Sequence, residues 1–174
     1  MTGKRAFTLV ELIIVIIILG ILAALAIPQF VSSTKDAQEA TLHGDLAVLR
    51  NAINLYYHQH SSIYPGAVKT DGTGGATGAG DNPAAFVDQM TLYTDKTGKT
   101  SASMDRTLYP FGPYLTSGIP DNPLPASGAT GSADVVSVVT TTGALTADVT
   151  PTTGWKYGKA TGQIIANVAA YQGW

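Results

Sequence analysis

Apolar residues are distributed unevenly along this chain. From Leu12 to Ile27 every position is aliphatic except Gly20, and the tract is preceded by Phe7-Thr8-Leu9-Val10-Glu11. Phe7 to Ile27 is 21 residues, close to the roughly 20 that a helix needs to cross a bilayer. Its side chains are apolar on every face, which distinguishes it from an amphipathic surface helix. Lys4 and Arg5 stand just before it and predict a cytoplasmic N-terminus with the remainder exported.

Beyond Pro28 the pattern becomes one-sided. Phe30, Ala37, Leu42, Leu46, Leu49, Ile53, Tyr56 and Tyr57 recur mostly at three-to-four-residue spacing. Lys35, Asp36, Glu39, Asp45, Arg50 and Asn54 fill much of the rest. This predicts an amphipathic helix over 28–62, ending near His60 to Ser62 before Tyr64-Pro65-Gly66. Residues 66–82, rich in Gly, Thr, Ala and Asp, read as an exposed loop. Asn82-Pro83 resembles a cap and first-turn proline for a short helix from Ala84 to Tyr93, and Thr94 to Asp105 reads as polar loop. A proline-punctuated connector spans Phe111 to Pro123. Strand signals come last: Val135–Thr140, a Thr142-Gly143 turn, Ala144–Val149, and a hairpin of Trp155–Tyr157 with Gln163–Asn167. The expected fold is α+β, a long N-terminal helix packed on an antiparallel sheet of three to four strands, with residues 63–174 forming a globular head.

Composition narrows the function. Net charge is −2, from 10 Lys+Arg against 12 Asp+Glu, too few cations to neutralise a nucleic-acid backbone. The absence of cysteine excludes disulfides, thiolate metal sites and cysteine nucleophiles. Gly98-Lys99-Thr100 mimics the end of a P-loop, but Tyr93 stands where its first Gly is required. The glycines from Gly72 to Gly80 follow no strand and open no helix. His58 and His60 lie two apart and face different ways on a helix, and His43 stands alone as a solvated residue. No Gly-x-Ser-x-Gly elbow occurs, and no enzymatic activity is expected.

The apolar tract admits three readings. Ala24-Leu25-Ala26 has the small-x-small form of a secretory cleavage site, but Glu11 lies within the apolar region and Pro28 just past the cut. A plain single-span anchor leaves Glu11 unexplained, since a carboxylate in a membrane segment is costly and calls for a partner. The third reading rests on Lys4-Arg5-Ala6-Phe7-Thr8-Leu9-Val10-Glu11-Leu12, which resembles the leader junction of type IV pilins and type II secretion pseudopilins. Gly-Pro-Tyr-Leu at 112–115, Ile-Pro-Asp-Asn-Pro at 119–123 and Gly-Trp-Lys-Tyr at 154–157 also resemble the heads of the major, G-type pseudopilins. With the lack of cysteine, they favour a pseudopilin over a surface pilin.

The resemblance implies a structural filament subunit with residues 1–6 as leader, 7–27 as transmembrane and filament-core helix, and a periplasmic head. A prepilin peptidase would cut between Ala6 and Phe7, where the family usually has Gly before the cut, and would methylate the Phe7 amine. Glu11 would pair with the Phe7 amine of a neighbouring subunit. Gly20 and Pro28 are weak points of the helix, giving either a kink or the local unwinding that the family shows in filaments. The implied partners are other copies of the chain, minor pilins or pseudopilins, an inner-membrane assembly platform with its cytoplasmic ATPase, and membrane lipid before assembly. No cofactor is expected. Calcium is the one ligand the resemblance leaves open, because the family's secretion members often bind it through a C-terminal acidic loop. Here that region has isolated Asp121, Asp134 and Asp148 and no Asp-x-Asp cluster. The alternative from another class is a monomeric, membrane-anchored periplasmic binding module.

Overall fold

The computed structural model describes residues 8–74, 83–124 and 135–174. Two compact units are present, residues 1–39 and 40–174. Helix α1, Leu9–Gln59, belongs to both. In the first unit it continues through Gly20 and Pro28, and an 18-residue window apolar enough to cross a membrane has none of its length buried. Lys35 and Glu39 pair on its surface at 3.7 Å, an exposed i,i+4 contact of small worth.

In the second unit α1 supplies one wall of the core. Leu42, Leu46, Leu49, Ile53 and Tyr56 are buried at alternating spacings of four and three, the stripe that 3.6 residues per turn brings to one face. The expected stripe was longer. Phe30 is 72% exposed and Ala37 is also exposed; periodic spacing marks an apolar face without supplying the neighbour that covers it. The helix ends as expected near His60. Ser62 N–H donates to the Tyr57 carbonyl at 3.0 Å, and Ser61 and Ser62 both adopt positive φ, a Schellman-type stop made with serine in place of glycine.

The opposite wall is a three-stranded sheet ordered β3-β4-β5, where β3 is Val136–Val139, β4 Trp155–Gly158 and β5 Gln163–Ala166. β4 and β5 form the expected antiparallel hairpin, Tyr157 opposite Ile164. Its turn needs Gly162, whose φ is +70° and whose added Cβ would lie 2.2 Å from the Tyr64 ring. The sheet is mixed, however. β3 runs parallel to β4, Val136 opposite Trp155, and Ala144–Val149 is not a strand. Parallel neighbours need a long crossover in place of a tight turn, and residues 140–154 are that crossover.

α2, Pro83–Thr91, buries Ala85, Phe86, Gln89 and Met90 between the walls; Asn82 lies outside the described residues. Tyr93, expected on this helix, instead opens β1, Tyr93–Thr94, which pairs with β2, Thr100–Ser101. The stretch expected to be loop throughout therefore contains a small hairpin. Gly66, Ala67 and Val68, expected in an exposed loop, are buried. The reason is Gln89, which sequence patterning does not single out. Its Oε1 accepts from Gly66 N–H at 2.7 Å, and its Nε2 donates to the carbonyls of Val68 at 3.1 Å and Gly98 at 2.9 Å. One buried amide thus satisfies main-chain groups of two loops. The proline connector has no helix or strand and is tied down by Trp155 Nε1, which donates to the Pro120 carbonyl at 2.7 Å, and by Asn122 Nδ2, which donates to the Gly154 carbonyl at 2.8 Å.

Candidate functional site: the N-terminal helix and the surface of the head

Ala6 and Phe7, the expected cleavage and methylation residues, lie outside the described residues. Glu11 is described, and its carboxylate is engaged within the chain. Thr8 stands one residue before α1. Its main-chain N–H and its hydroxyl donate to Glu11 Oε2 at 2.9 and 2.7 Å, and Glu11 N–H donates back to Thr8 Oγ1 at 3.2 Å. This is a capping box, which satisfies N–H groups that the first helical turn leaves without partners. The Thr-x-x-Glu spacing that announces it is visible in the sequence, yet the sequence reading assigned Glu11 only an intermolecular role. The acid therefore has a local function in the single chain, and a neighbour's cation would have to engage a carboxylate already oriented by Thr8.

Around this cap the aliphatic side chains from Leu9 to Ile27 have no cover. Ile16 is 58% and Leu25 72% exposed. Gly20 has nothing within 4 Å of an added Cβ, so no contact inside the chain requires glycine there. Apolar surface on this scale is stable only against lipid or protein.

The head holds its polar groups mainly for structure. His60 is buried and stacks on Tyr56 with ring centroids 3.7 Å apart. One of its nitrogens, Nδ1, lies 2.9 Å from the Tyr56 carbonyl and so carries the proton. The other accepts from the Thr94 hydroxyl at 3.0 Å. Burial pushes its pKa below the ordinary value, against smaller opposing effects of the Tyr56 carbonyl and Asp95. His58 is exposed, so the two histidines do point apart. His43 is exposed but not bare, its ring stacking on Trp174 at 4.1 Å. Arg50 donates to the main-chain oxygens of Ile164 and Trp174.

Among the described residues no group of three or more His, Cys, Asp or Glu side chains converges on a metal position. Asp148, one of the three acids weighed for calcium, is matched inside the chain. Its Oδ1 takes Lys156 Nζ at 2.6 Å and its Oδ2 takes Asn167 Nδ2 at 2.9 Å, and the lysine contact holds its carboxyl below the usual range. Asp148 N–H donates to Asn167 Oδ1 at 2.8 Å and Ala147 N–H to Gln172 Oε1 at 2.7 Å. Side-chain amides and one ammonium thus fasten the crossover. Asp134 lies outside the described residues.

Comparison with known proteins agrees with this geometry. The prokaryotic N-terminal methylation motif matches residues 1–27. The major component of the type IV narrow pilus of Thermus thermophilus, PilA5, is 48% identical over 59 residues, 34% of this chain and 51% of that protein. The type II secretion system core protein G of Klebsiella pneumoniae is 37% identical over 65 residues, 37% of this chain and 46% of that protein. The type IV major alpha-pilin of Moraxella bovis is 41% identical over 54 residues, 31% of this chain and 34% of that protein. No solved structure matches. The chain spans about half or less of the length of these curated relatives. The chain carries the N-terminal methylation motif, and its α+β architecture fits a pilin-like fold. It is similar both to secretion core protein G and to pilus subunits.

Proposed function

We propose that this chain is a structural subunit of a type II secretion pseudopilus or type IV pilus-like filament. It is held in the inner membrane by residues 7–27, with the N-terminus in the cytoplasm and the head in the periplasm. A prepilin peptidase cuts between Ala6 and Phe7 and methylates Phe7. Assembly by the platform and its ATPase, with minor pseudopilins or pilins as companions, then transfers the helix from lipid to a helical array of identical subunits. The observation that carries this reading is the capped carboxylate of Glu11 within an uncovered apolar helix that matches the methylation motif. Capping alone needs only an acceptor, which Gln would supply as well as Glu, whereas a filament uses the charge: the Phe7 amine of a neighbour would neutralise Glu11 in a low-dielectric core, where an unpaired charge is costly.

Intact-mass measurement of the purified chain tests the reading. A mass lower by Met1–Ala6 and higher by one methyl is expected, together with sedimentable filaments after shearing. A chain retaining Met1–Ala6 and remaining monomeric would instead be a membrane-anchored binding module, and the proposal would fall.

A further inference from the structure

Two surface features of the head remain without a role, and they complement each other. The first is the turn after β2. Asp105 Oδ1 accepts from Thr107 N–H at 2.8 Å and Leu108 N–H at 3.1 Å. Tyr109 N–H donates to the Asp105 carbonyl at 2.7 Å. The turn is therefore closed by its own hydrogen bonds, yet it presents Met104 53% exposed and Leu108 62% exposed. Between them Arg106 is exposed, with no ion-pair partner among the described residues. A single exposed apolar residue means little, but two flanking an unpaired guanidinium on an ordered turn form a small amphipathic knob.

The second feature is a cleft of about 240 Å³ beside α1, lined by Asp45, Val48, Leu115, Ser117 and Pro120 among others. Its walls are mostly apolar, and Val48 is 53% exposed. Asp45 is half-buried, and among the described residues it has neither a hydrogen-bond nor an ion-pair partner. Burial raises its pKa, the mark of a carboxylate losing water without gaining a cation.

The cleft runs along α1 from Asp45 and Val48 to Tyr114, whose hydroxyl donates to Gln59 near the helix's C-terminal end. The knob's base is β1–β2 and Phe111, and Thr94 of β1 bonds both Phe111 and His60 at the helix's C-terminal end. Asp45 stands fifteen residues before His60, which follows the last residue of α1, roughly 22 Å at 1.5 Å per residue. Each copy carries both the knob and the socket, so a head-to-tail contact between them can repeat from one copy to the next without closing.

We propose that the Met104–Leu108 turn of one copy seats in the Asp45 cleft of the next, Arg106 pairing with Asp45 while Met104 and Leu108 cover Val48. The occupant is a second copy because the charge and the apolar surface that the cleft lacks are both present on the same chain. This rests on the filament reading above and specifies a contact between heads that the apolar helix does not require.

The native chain has no cysteine, so engineered thiols report without background. Full-length Met104→Cys and Ser117→Cys chains, both altered at exposed positions, are co-expressed in cells that assemble the filament, then oxidised and run without reductant. A dimer of the chain is expected from the mixture and from neither variant alone. In a second arm, Asp45→Arg and Arg106→Asp should each reduce sheared filament about tenfold through like-charge contact, and the double exchange should restore most of it. Filaments that assemble normally yet give no mixed dimer, and no rescue by the exchange, overturn the contact and leave the filament reading standing. Cross-linking to a different protein in place of a second copy also overturns it. Failure of the native chain to form any filament removes both proposals together.

Discussion

The apolar residues of the first unit and those of the head stand on the same helix, α1, yet they meet opposite fates. Leu42, Leu46, Leu49 and Ile53 are covered by the sheet and α2 of their own chain. Among the described residues, nothing buries Ile13, Ile16, Ile17 and Ile21, which stay between 42% and 58% exposed. Burying apolar area is favourable wherever cover is found, so the difference lies in the source of that cover. The head folds to satisfy itself, whereas the exposed apolar face of the N-terminal helix calls for lipid or protein as cover. Polar groups divide in the same way. Gln89, His60 and Asn167 are bonded across the head, while among the described residues the Glu11 carboxylate is bonded to Thr8, three residues away.

The comparison breaks most visibly at the core. Trp155→Ala removes a fully buried ring and orphans the Pro120 carbonyl, and should destabilise the head by about 3–5 kcal/mol. Ile16→Ala deletes apolar surface of the same kind and should leave head stability unchanged. Denaturant titration of the detergent-solubilised chain, followed by the remaining tryptophan or by proteolysis, separates the two outcomes. Equal destabilisation would show that the units are not independent in stability.

Two glycines sharpen the same contrast. Gly162→Ala forces a positive-φ residue against Tyr64 and should cost about 2 kcal/mol. Gly20→Ala meets open space and should strengthen the isolated helix by up to about 1 kcal/mol. Circular dichroism melts of both variants measure the opposite signs. If Gly20→Ala nevertheless lowers filament yield, the helix needs its weakness, or a neighbour's close approach, only after assembly.

Glu11 tests whether the capping role and the proposed intermolecular role can be pulled apart. Glu11→Gln keeps a side-chain acceptor for the capping box and removes the charge, while Glu11→Ala removes both. If pairing with Phe7 governs assembly, both variants should enter the membrane and be cut after Ala6, and both should lose filament by about tenfold or more. Normal filament from a fully processed Glu11→Gln chain would assign the residue to capping alone.

The smallest expected effect is a pH dependence confined to the head. Burial lowers the folded-state pKa of His60 below its ordinary 6.5, so the unfolded chain takes up a proton first as pH falls. The neutral-histidine contribution is therefore complete above about 6.5 and declines as pH falls through that value toward the lower folded pKa. Stability of the chain measured between pH 7.5 and 5 should show this slope, and His60→Gln should flatten it. A slope unchanged in His60→Gln would rule out His60 as its source.

The membrane-length helix, its break in pattern after Pro28, the Leu42–Tyr56 stripe and the β4–β5 hairpin were all legible in residue order. Each depends on a local period or a turn residue, and a local period is a property of the chain itself. The capping box of Thr8 and Glu11 is equally local, announced by its Thr-x-x-Glu spacing. What residue order did not determine is which segments meet. Val136–Val139 has the composition of a strand, but its parallel pairing follows from Asn167, Gln163 and Gln172 holding the crossover, three amides that carry no periodic signal. Burial of Gly66–Val68 likewise waits on Gln89, more than twenty residues away, and the pairing of Asp148 with Lys156 on a fold that brings the crossover to β4. Spacing determines the face a segment offers, whereas only the tertiary structure decides what stands opposite it, because a hydrogen bond or an ion pair depends on distance in space and not on position along the chain.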